Sequence, residues 1–371
     1  MSDEKDAPSL VRLRQSLKGV VPPLITPLLT KTSANNEESG KEKYLHQQLD
    51  VDVEGTRTLV YNLLEGGVSA LFALGSTGEC PSLSRRLRRD FVRVVCQAAD
   101  GKVPVLAGLI GNCAEEIAED AEYYERVGAS ALVLTSPCYF RMTSQRDLRR
   151  WVLHVVEQVE LPVVLYNMPD LTKTNFDVET VLELIEHQQR LSTSSEGGKG
   201  NCKIVGIKDS SGDVDYFGRL CREVKLHAKD PDFCILMGPE HLTAKAMSLG
   251  ADGVVPGGSN AYPKLFVDLH EACLALRNGD TDKKKKEAIE AEVSRLSKCV
   301  DALQGIYAVE GLNWFMATKV ACELKGILLG SDASQTTIAA APPFDYGAVT
   351  DEQREKAREV LNEVDALLAA R

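Results

Sequence analysis

The chain has 371 residues, of which 44% are hydrophobic and 26% charged, a composition typical of globular proteins and not of disordered, fibrous or membrane proteins. This length predicts one barrel-sized unit of about 250 residues with a smaller addition. The formal net charge of -11 argues against nucleic-acid binding, because contacts with phosphates need a basic surface.

The N-terminus and the cysteines give expectations about location and metals. Residues 1–8 are charged and precede no apolar segment of signal-peptide length, and no apolar run approaches the roughly 18 residues of a membrane span. We therefore expect a cytoplasmic protein with no membrane partner. The ten cysteines are scattered, without a CxxC pair or a zinc-like histidine spacing, so they indicate buried or reactive thiols and no structural metal.

A short aliphatic run ending in small or polar residues, followed by an amphipathic helical stretch, occurs eight times. The runs are residues 21–26, 70–76, 103–108, 131–136, 163–167, 204–209, 234–238 and 253–257. Helical patterns lie at residues 85–98, 114–127, 146–158, 178–187, 215–226, 241–249 and 262–277. This alternation predicts a parallel sheet closed into an α/β (β/α)8 TIM barrel. A doubly wound open sheet is the alternative, but no GxGxxG phrase opens its first crossover.

After about residue 280 the strand patterns stop. Helices are predicted at residues 282–303, 311–328 and 351–370, with a loop at 330–347. The chain thus divides into an N-terminal tail (1–16), a catalytic barrel (17–280) and a C-terminal helical region (281–371). Two polar stretches without periodicity, 30–43 and 191–201, are expected to be mobile surface insertions.

In an α/β barrel the active site lies at the C-terminal ends of the strands, so polar residues there are the first candidates. The sixth run, Ile204-Val-Gly-Ile-Lys208, ends in a lysine that we place on the same face as Gly206 and Ile204. Most lysines are solvated. A lysine that ends an apolar barrel strand is a candidate for an inward-facing amine that attacks a ketone.

Two further strand ends suit this chemistry. Tyr166 ends the neighbouring fifth run, and its hydroxyl can move the protons that carbinolamine formation and dehydration require, although most tyrosines only pack. The second run ends in Gly75-Ser-Thr-Gly-Glu79, where backbone N–H groups and two hydroxyls can face one carboxylate. Such turns are common, so this phrase is a weak indication by itself.

Together these phrases resemble the dihydrodipicolinate synthase and N-acetylneuraminate lyase family over about residues 19–276. The matching phrases are Pro23-Leu-Ile-Thr-Pro27, Gly75-Ser-Thr-Gly-Glu79, Pro137-Cys-Tyr139, Tyr166-Asn-Met-Pro169, Gly206-Ile-Lys208-Asp-Ser210 and Gly250-Ala-Asp-Gly253. The resemblance implies a barrel with a C-terminal helical extension, assembled as a homo-oligomer, usually a tetramer, with a dimer as the alternative.

The resemblance also implies a lyase or aldolase that needs no cofactor, because Lys208 forms a Schiff base with pyruvate or another 2-keto acid. Tyr166 would be the proton shuttle. Ser76 and Thr77 would bind the carboxylate of the keto acid and relay protons, and Tyr139 would reach the site of a neighbouring subunit. Substrate-binding residues would also come from the phrases that follow the sixth and seventh strands, namely Ser210, Gly238, Glu240 and His241.

The second reactant is predicted from positions at which the branches of the family differ. In the synthase branch an arginine holds the carboxylate of aspartate semialdehyde; this chain has Leu171 there, as the sialate lyase branch does. A buried charged hydrogen bond contributes about 1.5–3 kcal/mol, so its loss should cost at least about tenfold in use of the semialdehyde.

The chain also departs from the sialate lyases. Their Gly-x-Asp-Glu phrase is Gly238-Pro-Glu-His241 here, and the serine expected after the eighth strand is Gly257. We therefore favour a 2-keto-3-deoxy sugar acid or a related hydroxy-keto acid as substrate. The alternatives are 4-hydroxy-tetrahydrodipicolinate synthase, N-acetylneuraminate lyase and, from a different class, a non-catalytic keto-acid sensor. The phrase Cys138-Tyr-Phe-Arg141 is also similar to one in 4-hydroxy-2-oxoglutarate aldolases.

Overall fold

The structure is a computed structural model that describes residues 10–31, 48–193, 203–228, 230–279, 282–328, 339–344 and 349–370. Most of the predicted insertions 30–43 and 191–201, and most of the loop 330–347, lie outside these described residues. Within the described ranges, no helix is long and apolar enough to cross a membrane.

The strands form an antiparallel hairpin, β1 with β2, and a parallel sheet in which β3 to β9 follow one another in chain order. Their bounds are β1 Leu28–Lys31, β2 Gln48–Val51, β3 Leu71–Ala73, β4 Val105–Leu109, β5 Ala131–Thr135, β6 Val163–Asn167, β7 Ile204–Asp209, β8 Cys234–Met237 and β9 Gly253–Val254. Seven of the eight predicted runs therefore coincide with the strands of the parallel sheet, although β4 ends one residue later than its predicted run.

The first predicted run joins the two edges of that sheet. On one side the N–H of Val21 donates to the carbonyl of Val254 at 2.9 Å, and on the other the N–H of Leu24 donates to the carbonyl of Phe72 at 2.8 Å. Both pairings are parallel. The prolines at positions 22 and 23 have no N–H to donate, which keeps this run from forming a regular strand. The predicted (β/α)8 barrel is thus confirmed.

The helices are formed by segments with apolar residues at helical spacing, and several begin at a capping side chain: Ser84, Ser144 and Asp213 each accept an N–H of the first turn. Their bounds are α1 Leu10–Leu17, α2 Val53–Glu65, α3 Arg85–Ala99, α4 Ala114–Arg126, α5 Gln145–Val156, α6 Pro169–Thr172, α7 Val178–Thr193, α8 Val214–His227, α9 Thr243–Leu249, α10 Pro263–Asn278, α11 Lys283–Leu303, α12 Trp314–Leu324 and α13 Asp351–Ala369. The sequence patterns did not predict α2 or the β1–β2 hairpin.

The barrel interior is filled by side chains that alternate inward along the strands. It includes the side chains of Phe72, Leu106, Val133, Val164, Tyr166 and Leu236. Between β6 and β7 the register shifts, because Val163 pairs with Ile204 and Val164 pairs with Gly206, which leaves Val205 as an extra residue. This bulge corrects one prediction: Gly206 and Lys208 share the inner face, whereas Ile204 packs in the outer layer.

The described part of the predicted N-terminal tail is helix α1. Leu13 and Leu17 belong to the interior cluster of the barrel, and Arg14 makes two hydrogen bonds to the carboxylate of Asp230, at 2.9 and 2.8 Å. The carbonyl of Arg14 also accepts from the thiol of Cys234, the first residue of β8, at 3.4 Å. Helix α1 therefore covers the N-terminal end of the barrel, opposite the predicted active site.

The C-terminal helices pack on the barrel and on one another. Helix α11 packs against α10 and α13, and α13 also contacts α12. The predicted helices at 282–303, 311–328 and 351–370 correspond to α11, α12 and α13. The first and last agree within about one residue, whereas α12 occupies only the middle of its predicted range.

Candidate active site

Strand β7 holds Lys208 inside the C-terminal end of the barrel. The side chain is 6% exposed and lies beside Tyr166, its pairing partner on β6. The Lys208 Nζ atom is 4.1 Å from the ring centroid of Tyr166 and 5.1 Å from that of Phe72. The amine thus lies between two aromatic rings in the barrel interior; the sequence predicted an inward-facing lysine beside Tyr166 but not the ring of Phe72.

Tyr166 is buried beside this amine, and its hydroxyl lies 3.4 Å from the Oγ atom of Ser76. Burial by itself would raise the pKa of Tyr166. The positive charge of Lys208 and hydrogen bonds from Ser76, Lys208 and Ser210 act in the opposite direction and outweigh burial, so the pKa of Tyr166 lies below its usual value. A phenol with a lowered pKa gives up its proton more readily, which suits the predicted proton shuttle.

Ser76 and Thr77 lie half-buried on the turn after β3. The turn has an unusual backbone, since the buried Leu74 has a φ of 62° and Glu79 a φ of 59°. Such left-handed conformations cost of order 1–3 kcal/mol each in non-glycine residues. A Cβ atom at Gly78 would lie 2.8 Å from the carbonyl oxygen of Leu24, so the turn requires glycine there.

The C-terminal region holds this turn in place. Glu79 and Lys319 of α12 form an ion pair in which both side chains are fully buried. The second oxygen of Glu79 accepts the N–H of Ala341 at 2.7 Å, and Lys319 also donates to the carbonyl of Ala339 at 2.6 Å. Burial lowers the pKa of Lys319, and the charge of Glu79 opposes that change. Lys319 was not predicted from the sequence, where its only signal is a lysine within an apolar helix.

Asp209 and Asn167 join the ends of β6 and β7. Asp209 is fully buried, and its carboxylate accepts from the amide of Asn167 at 2.8 Å and from the hydroxyl of Ser211 at 2.9 Å. Burial raises the pKa of Asp209. These bonds keep Tyr166 and Lys208, the preceding residue on each strand, side by side. This pair was not predicted from the sequence, where its signal is a polar residue directly after Tyr166 and after Lys208.

Ser210 and Gly238 meet at the ends of β7 and β8. A Cβ atom at Gly238 would lie 2.0 Å from the hydroxyl oxygen of Ser210, so only glycine leaves room for that side chain. The N–H of Gly238 donates to the carbonyl of Asp209 at 2.7 Å. The side chain of Ser210 lies within hydrogen-bonding reach of Tyr166. Gly238 contributes by leaving the space that the Ser210 side chain occupies.

Glu240 faces the C-terminal region. It is 6% exposed, and its two oxygens accept from the N–H of Gly258 at 2.5 Å and from the side-chain amide of Gln304 at 2.7 Å. Burial raises its pKa, and these hydrogen bonds partly offset the rise. This carboxylate, which the sequence predicted to bind substrate, is thus engaged by the protein itself, because the side chain of Gln304 lies opposite and the sequence did not connect the two residues. His241 is exposed beside it.

Leu171 and Tyr139 lie at the edge of the site. Leu171, on α6, lines a cavity of about 250 Å³ that also borders Ser76. Tyr139 is 82% exposed on the loop after β5, and its ring stands edge-on to Phe140 at 5.1 Å. The structure therefore gathers Lys208, Tyr166, Ser76 and Ser210 into one group and leaves Tyr139 at the surface.

Comparisons with known proteins identify the family of this chain. The model of the dihydrodipicolinate synthetase family matches residues 43–319. The 4-hydroxy-tetrahydrodipicolinate synthases of Methanopyrus kandleri and Methanocaldococcus jannaschii are 32% and 30% identical to this chain, over 73% and 72% of its length and 77% and 78% of theirs. The structure of dihydrodipicolinate synthase from Bacteroides thetaiotaomicron matches with a TM-score of 0.74 at 33% identity, and the match covers 94% of this chain and 98% of that one. The predicted family is confirmed: the chain belongs to the dihydrodipicolinate synthetase family and is a lyase of the aldolase type.

Proposed function

We propose that the protein makes or breaks a carbon–carbon bond of a 4-hydroxy-2-keto acid through an imine between Lys208 and pyruvate. The observation that carries this proposal is the position of the Lys208 Nζ atom, 4.1 Å from the ring centroid of Tyr166. The hydroxyl of Tyr166 is in turn 3.4 Å from that of Ser76. A nucleophile, a proton donor and a partner for a carboxylate thus share one barrel mouth.

In the condensation direction, the neutral amine of Lys208 attacks the keto carbon of pyruvate. Tyr166 supplies the proton with which the carbinolamine loses water to form the iminium. The adjacent methyl group then loses a proton and gives an enamine. Its carbon bonds to the aldehyde carbon while the aldehyde oxygen takes up a proton, and water hydrolyses the new imine to release product and amine. Cleavage follows the same steps in reverse.

The other predicted residues assist these steps. Ser76 and Thr77 bind the carboxylate of the keto acid, and Ser210 keeps Tyr166 oriented through the hydrogen bond that also lowers the pKa of the phenol. Tyr139 serves the site of a neighbouring subunit in a homo-oligomer, a tetramer or a dimer. No cofactor takes part, since the lysine imine supplies the electron sink. The cytoplasmic location expected from the sequence stays a prediction.

Borohydride trapping tests the imine. Reduction of the protein in the presence of pyruvate should add the mass of a reduced pyruvyl group to the peptide that contains Lys208. Lys208→Met should abolish the label. The control is Lys203, which lies just before β7 and donates to the carbonyl of Val159, and Lys203→Met should retain the label. An unlabelled protein, or a label on another lysine, would contradict the proposal.

A second candidate is 4-hydroxy-tetrahydrodipicolinate synthase, which the names of the similar proteins favour. We place it second because the aliphatic Leu171 cannot repay the desolvation of the second substrate's carboxylate. Leu171→Arg should therefore raise condensation with aspartate semialdehyde. If the unchanged protein already reaches a kcat/KM of about 10⁴ M⁻¹s⁻¹ with the semialdehyde, the synthase becomes the better assignment. Sugar acids lose one predicted contact, since Glu240 is engaged elsewhere.

A further inference from the structure

We infer that the aldehyde in this reaction carries an apolar side chain about the size of an aromatic ring, and that Thr135 binds its oxygen. The inference rests on the proposed function, because it concerns the second reactant of the same aldol reaction. It replaces the polyhydroxylated partner that the sequence favoured. Four observations, on the space, the walls, the charges and one unpaired hydroxyl, support it.

The space is the cavity that borders Ser76. Its volume is about 250 Å³. A dry apolar cavity of roughly 150 Å³ is known to hold a benzene ring, so this cavity has room for a ring and a short linker. Because Ser76 lies 3.4 Å from the hydroxyl of Tyr166, the cavity adjoins the position where the keto acid reacts.

One wall of the cavity is aromatic and comes from the C-terminal region. The rings of Phe315 and Phe344 meet edge-to-face at 4.9 Å, and those of Trp314 and Phe315 at 5.9 Å. Leu171 also lines the cavity, and Leu171, Trp314 and Phe344 are each between 38% and 43% exposed. Large apolar side chains that are exposed together mark a binding site, and edge-to-face rings favour a further ring.

The charges around the cavity are already neutralised. Glu79 is the charged residue among the described residues that line it, and its carboxylate is paired with Lys319 and bonded to the N–H of Ala341. A carboxylate on the incoming aldehyde would therefore find no cation among these described lining residues. A chain of hydroxyl groups would lose its hydration against the rings of Phe315 and Phe344, which offer no hydrogen bonds in return.

The unpaired hydroxyl belongs to Thr135, which also lines the cavity. Thr135 is 2% exposed, and its Oγ1 atom has no hydrogen-bond partner among the described residues. It pairs with Tyr166 on the neighbouring strand. Ala131, Val133 and Thr135 are alternate residues of β5, and because the first two face the barrel interior, Thr135 does so as well. Buried hydroxyls without a partner are rare and unfavourable. The Thr135 oxygen is covered in this conformation, so a rotation about χ1 would bring it to the cavity that the residue lines, where it can donate to a polar atom of a ligand.

We assign that atom to the aldehyde oxygen, which becomes the hydroxyl of the product. Thr135 donates a hydrogen bond to this oxygen and keeps its own proton. The proton that the oxygen takes up when the enamine carbon bonds to the aldehyde carbon is relayed through Tyr166. An aldehyde with one oxygen and an apolar remainder satisfies both the single hydroxyl and the aromatic wall.

A comparison of four aldehydes tests the class of substrate. With pyruvate in excess, kcat/KM is measured for benzaldehyde, 3-phenylpropanal, erythrose and aspartate semialdehyde. We expect at least one of the two aromatic aldehydes to exceed the other two compounds by tenfold or more. A smaller preference for the aromatic aldehydes, or equal or better use of erythrose or the semialdehyde, overturns the inference. Borohydride trapping of the same sample separates the two failures: an imine on Lys208 without aromatic preference leaves the proposed function standing, and no imine overturns both.

Variants test the wall and the hydroxyl. Trp314→Ala should lower kcat/KM for the preferred aromatic aldehyde at least tenfold, whereas Leu226→Ala, which truncates an apolar side chain 69% exposed on α8, should not. Thr135→Val removes the hydroxyl at nearly constant volume and should lower the same constant about tenfold, with recovery in Thr135→Ser. Thermal unfolding confirms that each variant is folded. A Thr135→Val protein with normal kcat/KM overturns the assignment of Thr135.

Discussion

Tyr166 and Lys208 are paired residues on neighbouring strands, and the proposed chemistry depends on the phenol of the first lying beside the amine of the second. The ring of Tyr166 contacts the Lys208 amine, while its hydroxyl points to Ser76. In the proposed mechanism these two parts of the side chain have different roles, because the ring shapes the pocket and the hydroxyl moves protons. A substitution that keeps the ring separates them.

We predict that Tyr166→Phe lowers kcat by about 10²–10⁴-fold, the usual contribution of a general acid or base, while the dissociation constant for pyruvate changes little. Steady-state kinetics and pyruvate titration measure the two effects. Tyr262→Phe is the matched control, since it removes a buried hydroxyl that donates to the carbonyl of Leu361 on α13 at 3.2 Å. Near-normal turnover of Tyr166→Phe would show that the hydroxyl is only structural.

The lowered pKa of Tyr166 leads to a prediction about pH. A proton donor works while it is protonated, so kcat should fall as pH rises through the pKa of the phenol, and this fall should begin below the usual value of a tyrosine. Ser76→Ala removes a hydrogen bond that stabilises the phenolate. The pKa should then rise, and the alkaline fall in kcat should move to higher pH. A pH profile of kcat that is unchanged, or moved to lower pH, would contradict this account.

Single residues also show what could be read from the sequence. The positions of Lys208, Tyr166 and Ser76 were predictable because each lies at or just after the C-terminal end of a strand, and these ends converge in a barrel. The role of Glu240 was not predictable, because its partner Gln304 is remote in sequence and no local pattern connects the two residues. Nor was the unpaired hydroxyl of Thr135, since hydrogen-bond satisfaction depends on the complete three-dimensional surroundings.

Among the elements, helix α12 has two roles at the barrel mouth. Its first residues, Trp314 and Phe315, line the cavity, and Lys319 one turn later holds the turn that carries Ser76 through Glu79. The helix itself was predicted from its apolar spacing, but its position over the barrel mouth was not, because hydrophobic periodicity gives the buried face and not the partner. The bulge at Val205 was missed for a similar reason, since it appears only in the pairing of two strands.

We predict that Lys319→Met destabilises the protein by about 3–5 kcal/mol, because it leaves the carboxylate of Glu79 buried without its cation. Denaturant unfolding measures the loss. Lys325→Met is the control: it removes a partly exposed pair with Asp365 at 3.1 Å and should cost at most about 1 kcal/mol. The double variant Glu79→Gln with Lys319→Met should recover part of the stability. A loss for Lys319→Met no larger than that of the control would contradict the structural role of the pair.

For the whole molecule, the exposed aromatic pair after β5 bears on assembly. Tyr139 and Phe140 are 82% and 79% exposed, which is unusual for large rings on a protein that stays monomeric. We predict that Phe140→Asp lowers the oligomer mass seen in sedimentation and reduces turnover, because Tyr139 no longer reaches its neighbour. Leu226→Asp, at another exposed apolar position, should leave the mass unchanged. A wild-type monomer with full activity would contradict the assembly.

Two contacts described above also determine how the protein unfolds, namely Glu79 with Lys319 and Glu240 with Gln304. The sequence pattern changes near residue 280, but these two buried links cross that point and connect two barrel loops to the C-terminal helices. The chain has two tryptophans, Trp151 on α5 of the barrel and Trp314 on α12, so fluorescence can follow each part separately. In single-tryptophan variants, Trp151→Phe and Trp314→Phe, both transitions should share one denaturant midpoint. The barrel without residues 281–371 should accordingly not fold as an independent unit.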